Sequence, residues 1–101
     1  FRIRGGIRVG RSYWSASNAT WPLAKIEVFK EKLIITSALA IIEFKKEEIV
    51  SIGKYQGLLG FLGRGIKIKH TKSRIPPFIV FWSFSSKKLI DEIKKAGYKV
   101  K

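Results

Sequence analysis

Cysteine and methionine are absent from the 101 residues, histidine occurs once, and acidic residues number only 7. The missing cysteine excludes disulfide frameworks and thiolate chemistry, and with a single histidine it leaves no Cys/His zinc site. No aspartate-rich calcium loop is present. No apolar run reaches the roughly 18–20 residues that a spanning helix needs. The longest, "LIITSALAII" at residues 33–42, is interrupted by Thr36 and Ser37. No apolar core follows the first arginines, so a signal-peptide pattern is missing as well. The chain opens on Phe1 rather than methionine, which leaves its natural start and any upstream anchor open.

Catalytic signatures are equally sparse. "GLLGFLGRG" at residues 57–65 lacks the Gly-Lys-Ser/Thr ending of a phosphate-binding loop, and it does not stand between a strand and a helix as a dinucleotide fingerprint must. No Gly-x-Ser-x-Gly elbow exists. His70 has neither a nucleophile nor a carboxylate partner in its neighbourhood of sequence, so it reads as a partly buried structural residue. The expectation is a non-enzymatic chain with no catalytic residue, no metal and no cofactor.

What the chain does have is positive charge. Lysine and arginine total 21, for a net charge of +14 and a pI near 10.4. A surplus of that size steers a protein toward polyanions such as anionic lipid, nucleic acid or an acidic protein, although it also serves solubility. Hydrophobic residues at 46% are too many for intrinsic disorder. The length suits a single domain spanning 1–101.

Period-two alternation dominates the pattern. In "FRIRGGIRVGR" Phe1, Ile3, Ile7 and Val9 share one face, while Arg2, Arg4 and Arg8 share the other. Gly5-Gly6 as a hairpin turn would mix these faces, so one strand with a glycine bulge is expected. "SYWSASNATWP" reads as an irregular connection held by Trp14 and Trp21, making 1–21 an N-terminal strand plus connection. Short strands then fill 22–82. Ala24, Ile26 and Val28 alternate with Lys25 and Glu27, and Ala40, Ile42 and Phe44 fall in register. "KKEE" makes a charged corner, and Ile66, Ile68 and His70 oppose Lys67 and Lys69. "FIVFW" is apolar on both faces and so belongs in the middle of a sheet or under cover. One helix closes the chain at 85–97, with Ser85 as N-cap, Phe84 stapled to Leu89, a stripe of Leu89, Ile90, Ile93 and Ala96, and Gly97 as the stop. The fold class is mainly β (α+β): a partly open antiparallel β-barrel of about six to seven short strands capped by one C-terminal amphipathic helix.

From "WPLAKIEV" through "IEFKKEEIVSI" and "GIKIKH" to "FIVFWSFSSKKLIDEIKKAGY", this order resembles the small prokaryotic pleckstrin-homology-like (PH-like) domains. Phe44, Lys45, Lys46, Glu47, Glu48, Ile49, Ser51 and Ile52 carry the central match, and the final strand and helix carry the rest. The resemblance implies a binding or scaffold module, cytoplasmic or membrane-peripheral. Phosphoinositide-binding members gather basic residues in the first strand-to-strand loop, where this chain has only Lys30 and Lys32, split by Glu31.

Candidate binding residues are the arginine row Arg2, Arg4 and Arg8 with Arg11 nearby, together with Lys67 and Lys69. Lys72, Lys94 and Lys95 add charge. The glycine loop contributes Phe61, Leu62 and Arg64, either as a lid over one end of the barrel or as a wedge for a bilayer. An anionic membrane surface or an acidic protein is the expected partner. Nucleic acid is the alternative, and a homo-oligomer joined through the edge of a spare N-terminal strand is a third reading.

Overall fold

A computed structural model describes the backbone of residues 1–11, 16–38, 41–55 and 65–101, and the side chains of all these except 16–22. Seven strands appear in chain order: β1 (Arg2–Gly10), β2 (Ala16–Val28), β3 (Lys32–Ser37), β4 (Ile41–Lys45), β5 (Ile49–Tyr55), β6 (Gly65–His70) and β7 (Phe78–Trp82). A 3₁₀ turn at Lys46–Glu48 joins β4 to β5, and helix α1 spans Ser86–Lys95. The strands form one antiparallel sheet in the order β4-β3-β2-β1-β7-β6-β5, curled into a half-barrel.

The order follows from side-chain patterning. "GIKIKH" gives a one-sided strand: Ile66 and Ile68 are buried while Lys67 and Lys69 are exposed. β7 is buried on both faces from Phe78 to Phe81, as its unbroken apolar run requires. Ala24, Ile26 and Val28 point inward beside Ile35 and Leu33 of β3. The concave side is filled by isoleucines and by Phe44 and Phe81, and α1 lays Leu89, Ile90 and Ile93 against it. The lysines of α1 stay outside, so the amphipathic stripe alone decides the docking face.

Four expectations are corrected. The strand read as spare is the central one, because β1 pairs with β2 along one edge and with β7 along the other. Assembly through that edge is therefore closed. The connection read as irregular up to Pro22 is largely strand, since β2 already begins at Ala16. Among the described residues it holds a bulge: β2 takes the five steps from Ala24 to Ala19 where β1 takes the two from Gly5 to Ile7. Pro22 falls in that skip, where a residue without an N–H costs no ladder bond. Finally, Ser85 stands at the N-cap but makes no side-chain cap. Just ahead of it, the Ser83 hydroxyl accepts from the Ser85 N–H at 3.2 Å and donates to the Arg4 carbonyl at 3.2 Å, tying the start of the helix to β1. Phe84 is 79% exposed, too open to be a staple over Leu89, and meets the Trp82 ring edge-on.

The C-terminal end of α1 is tied down as the sequence indicates. Gly97 has φ +90°, the Gly97 N–H reaches the Lys94 carbonyl and the Tyr98 N–H the Ile93 carbonyl, which together make a Schellman stop. Lys46, on the turn before β5, donates to the Ala96 carbonyl at 2.6 Å with its ammonium 4.7 Å from the Tyr98 ring centre. That places a cation at the negative end of the helix dipole. Tyr98 donates to the Phe29 carbonyl at 2.7 Å, linking the helix stop to the β2–β3 turn. Beyond it, Val100 forms a parallel bridge to Ile52 and lines the outer edge of β5.

Burial pushes the Tyr98 phenol up from 10.0 to about 12. The folded state thus holds this proton more tightly than the unfolded chain does. The resulting stabilisation is complete below pH 10 and is lost as pH climbs toward 12. Tyr98→Phe should therefore lose less stability than the wild type between pH 10 and pH 12, read from urea midpoints of both proteins. Parallel curves across that window would show that the phenol does not titrate with unfolding.

Candidate anion-binding face

Paired with β2 over residues 2–5 and with β7 over 6–10, β1 turns Ile3, Gly5 and Ile7 to the core and Arg2, Arg4, Gly6 and Arg8 outward. The neighbours on that outer face are set by register. Arg2 lies across from Glu27 and Arg4 across from Lys25. Lys25 in turn faces Thr36, and Thr36 faces Ile41 on the edge strand. Arg8 shares a row with Val80 of β7, and Val80 with Lys67 of β6. Two strand spacings, about 10 Å, separate Arg8 from Lys67.

The Arg4–Lys25 pair is the electrostatic focus. Like charges directly opposed on neighbouring strands are destabilising, by a few tenths of a kcal/mol up to about 1 kcal/mol. Among the described residues neither cation forms an ion pair, and neither does Arg2. Ion pairs among the described residues lie elsewhere, at Lys32–Glu43, Lys72–Glu48 and Lys95–Glu92. Arg2, Arg4, Lys25 and Ile3 line a shallow hollow of about 400 Å³. An anion seated there would turn the Arg4–Lys25 repulsion into two charge-assisted hydrogen bonds, with Arg2 offering a third cation at the rim.

The remaining expected site residues divide. Arg8 joins Arg2 and Arg4 on the outer face of β1, and Lys67 and Lys69 project from the same side of β6. Lys67 also sets its ammonium 5.4 Å from the Phe78 ring centre. Arg11 is exposed at the bend after β1. Lys72 does not join this face: it pairs with Glu48 and donates to the Glu43 carbonyl at 2.6 Å. Lys95 is engaged with Glu92 on α1, and Lys94 borders a separate hollow between α1 and the β5–β6 ends. Phe61, Leu62 and Arg64 lie outside the described residues, as do the Trp14 and Trp21 side chains. Lys25 was missed in sequence. Its outward direction is readable from "LAKIEV", but only the register reveals that it faces Arg4.

His70 stitches the sheet together. Its Nδ1 accepts from the Lys72 N–H at 3.0 Å, which leaves Nε2 to donate to the Pro76 carbonyl at 2.9 Å. Its ring lies 4.7 Å from that of Phe44. Both nitrogens are thus committed to holding the β6–β7 connection. Among the described residues no three His, Asp or Glu side chains gather to hold a metal, and no helix is long and apolar enough to cross a membrane.

No protein-family model, no curated protein and no solved structure matches the chain. The functional reading therefore rests on the residues themselves.

Proposed function

We propose that the chain is a PH-like, non-catalytic binding module that attaches peripherally to anionic membrane lipid through the outer face of β1 and β2. The order of elements supports the PH-like assignment: a meander of short strands closed by one helix that fills the concave side. The observation that carries the binding reading is the Arg4–Lys25 opposition, a like-charge pair at the middle of the sheet beside Arg2 and above a hollow. Arg8 and Lys67 extend the positive field along the same face. General electrostatics suits this arrangement better than recognition of one headgroup, because the cations stand on rigid strands and not in a clasping loop.

Co-sedimentation tests it, using phosphatidylserine/phosphatidylcholine vesicles against pure phosphatidylcholine at physiological salt, with short single-stranded and duplex oligonucleotides as competitors. Binding should need the anionic lipid and survive the competitors. Arg4→Gln with Lys25→Gln removes two basic residues worth about 1 kcal/mol each at an anionic surface, so affinity should fall about thirtyfold. Unchanged affinity in that variant would move the site off this face. Binding that oligonucleotides strip away would favour nucleic acid, and no vesicle binding would leave an acidic protein as the partner.

A further inference from the structure

Next to the cations, the same face carries apolar side chains that the core does not use. Leu23 of β2, next outward position to Lys25, is 61% exposed. Trp82 stands opposite Gly6 on the outer side of β7, and a Cβ on Gly6 would fall 2.4 Å from its indole. The glycine therefore lets the indole lie flat across β1, between Arg4 and Arg8. Phe84 follows at 79% exposed, its ring centre 6.0 Å from that of Trp82 and its plane turned by 84°. The Ser83 hydroxyl, bonded to the Arg4 carbonyl, ties the chain just before Phe84 to β1.

We propose that Leu23, Trp82 and Phe84 form an apolar wedge that enters the interface of an anionic bilayer, with Arg4 and Lys25 held at headgroup depth. The proposal rests on the lipid-binding reading above and adds the insertion surface, the orientation and a second source of affinity. Charge complementarity selects the occupant: cations flank the apolar group, and the one acid on this stretch of β2, Glu27, lies a row away against Arg2. Tryptophan suits the level where hydrocarbon meets headgroup, its ring apolar and its N–H able to reach water or lipid oxygen. Leu23 and Phe84 have no polar atom on their side chains and go deeper.

Stacking on nucleic acid bases fits the geometry less well. Successive bases need aromatic faces presented side by side. Here one ring meets the other edge-on, the indole lies against the sheet, and the third member is aliphatic. A protein partner would also accept an apolar patch. Arg4 and Lys25, opposed to each other and joined to no acid among the described residues, favour a surface that is both anionic and fluid.

The absence of cysteine makes the test clean. Leu23→Cys and Phe84→Cys, each labelled with a nitrobenzoxadiazole dye, are compared with Ser73→Cys in the connection at the far end of β7. On phosphatidylserine/phosphatidylcholine vesicles the first two labels should shift to the blue and resist an aqueous quencher, while the Ser73 label does neither. In parallel, Leu23→Ser and Phe84→Ser should each weaken vesicle binding about tenfold, and the double variant by about a hundredfold, with melting temperatures unchanged. Vesicle binding retained in the double variant, with both labels still in water, overturns the wedge while leaving the charge-based attachment standing. No binding by the wild type overturns both.

Discussion

Gly5→Ala is expected to lower the melting temperature by about 12–24 °C, an effect out of proportion to the single methyl group it adds. A Cβ at Gly5 would lie 2.1 Å from the Trp82 carbonyl oxygen and 2.7 Å from the Phe81 ring. The first of these is backbone in a paired strand, and the second belongs to a fully buried side chain in the middle of the core. Neither yields cheaply, because protein interiors are packed to crystal density. Overpacking of this kind costs about 3 kcal/mol, and each kcal/mol corresponds to roughly 4–8 °C in a domain of this size. Gly53→Ala is the matching control, since a Cβ there has nothing within 4 Å. It should be neutral, or slightly stabilising through the unfolded state. Equal melting temperatures for the two variants would show that β1 and β7 do not approach as closely as described.

The second large effect concerns the helix. A half-barrel leaves its concave side open to water, and α1 covers it with Leu89 and Ile93, both at 0% exposure. Truncation of a buried leucine or isoleucine to alanine costs about 2–5 kcal/mol, depending on how far the site collapses. Leu89→Ala with Ile93→Ala should therefore remove most of the 5–15 kcal/mol by which small domains are stable. Urea unfolding followed by circular dichroism should show the double variant mostly unfolded at 25 °C, with strand and helix signals lost together. Loss of the helical signal alone, with the sheet intact, would show that the sheet's own packing carries the fold and that the helix is an accessory.

Local pattern made much of this architecture legible. Alternation in "RIRGGIRV" and "GIKIKH", the two-sided apolar run "FIVFW" and the final amphipathic stripe all correspond to elements with the expected faces. What could not be read was which element lies beside which. A strand's faces are a property of its own residues, whereas its neighbours depend on competition among all the strands. So Arg2, Arg4 and Arg8 were visible as a row, but the placing of that row at the centre of the sheet and of Lys25 opposite Arg4 was not. Gly5-Gly6 carried an ambiguous signal for the same reason: the glycines answer to Phe81 and Trp82, far away in sequence. The N-cap position at Ser85 was legible, but not that its side chain makes no cap bond. The bond from the Ser83 hydroxyl to the Arg4 carbonyl depends on the path of the chain past β1, which local sequence does not show.

The central position of β1 also sets a timetable for the growing chain. Gly6 must wait for Trp82, and Gly10 for Phe78, before that edge is paired. The hairpins β2–β3, β3–β4 and β5–β6 have their partners close at hand in sequence, the first two across three residues. The two halves of the sheet then meet only when the last strand arrives, and α1, which covers their shared apolar surface, is made later still. Pairings of such long sequence separation close slowly. Until then the isoleucine-lined faces stand uncovered on the nascent chain, and the lysines and arginines on their outer sides supply the mutual repulsion that keeps such chains apart.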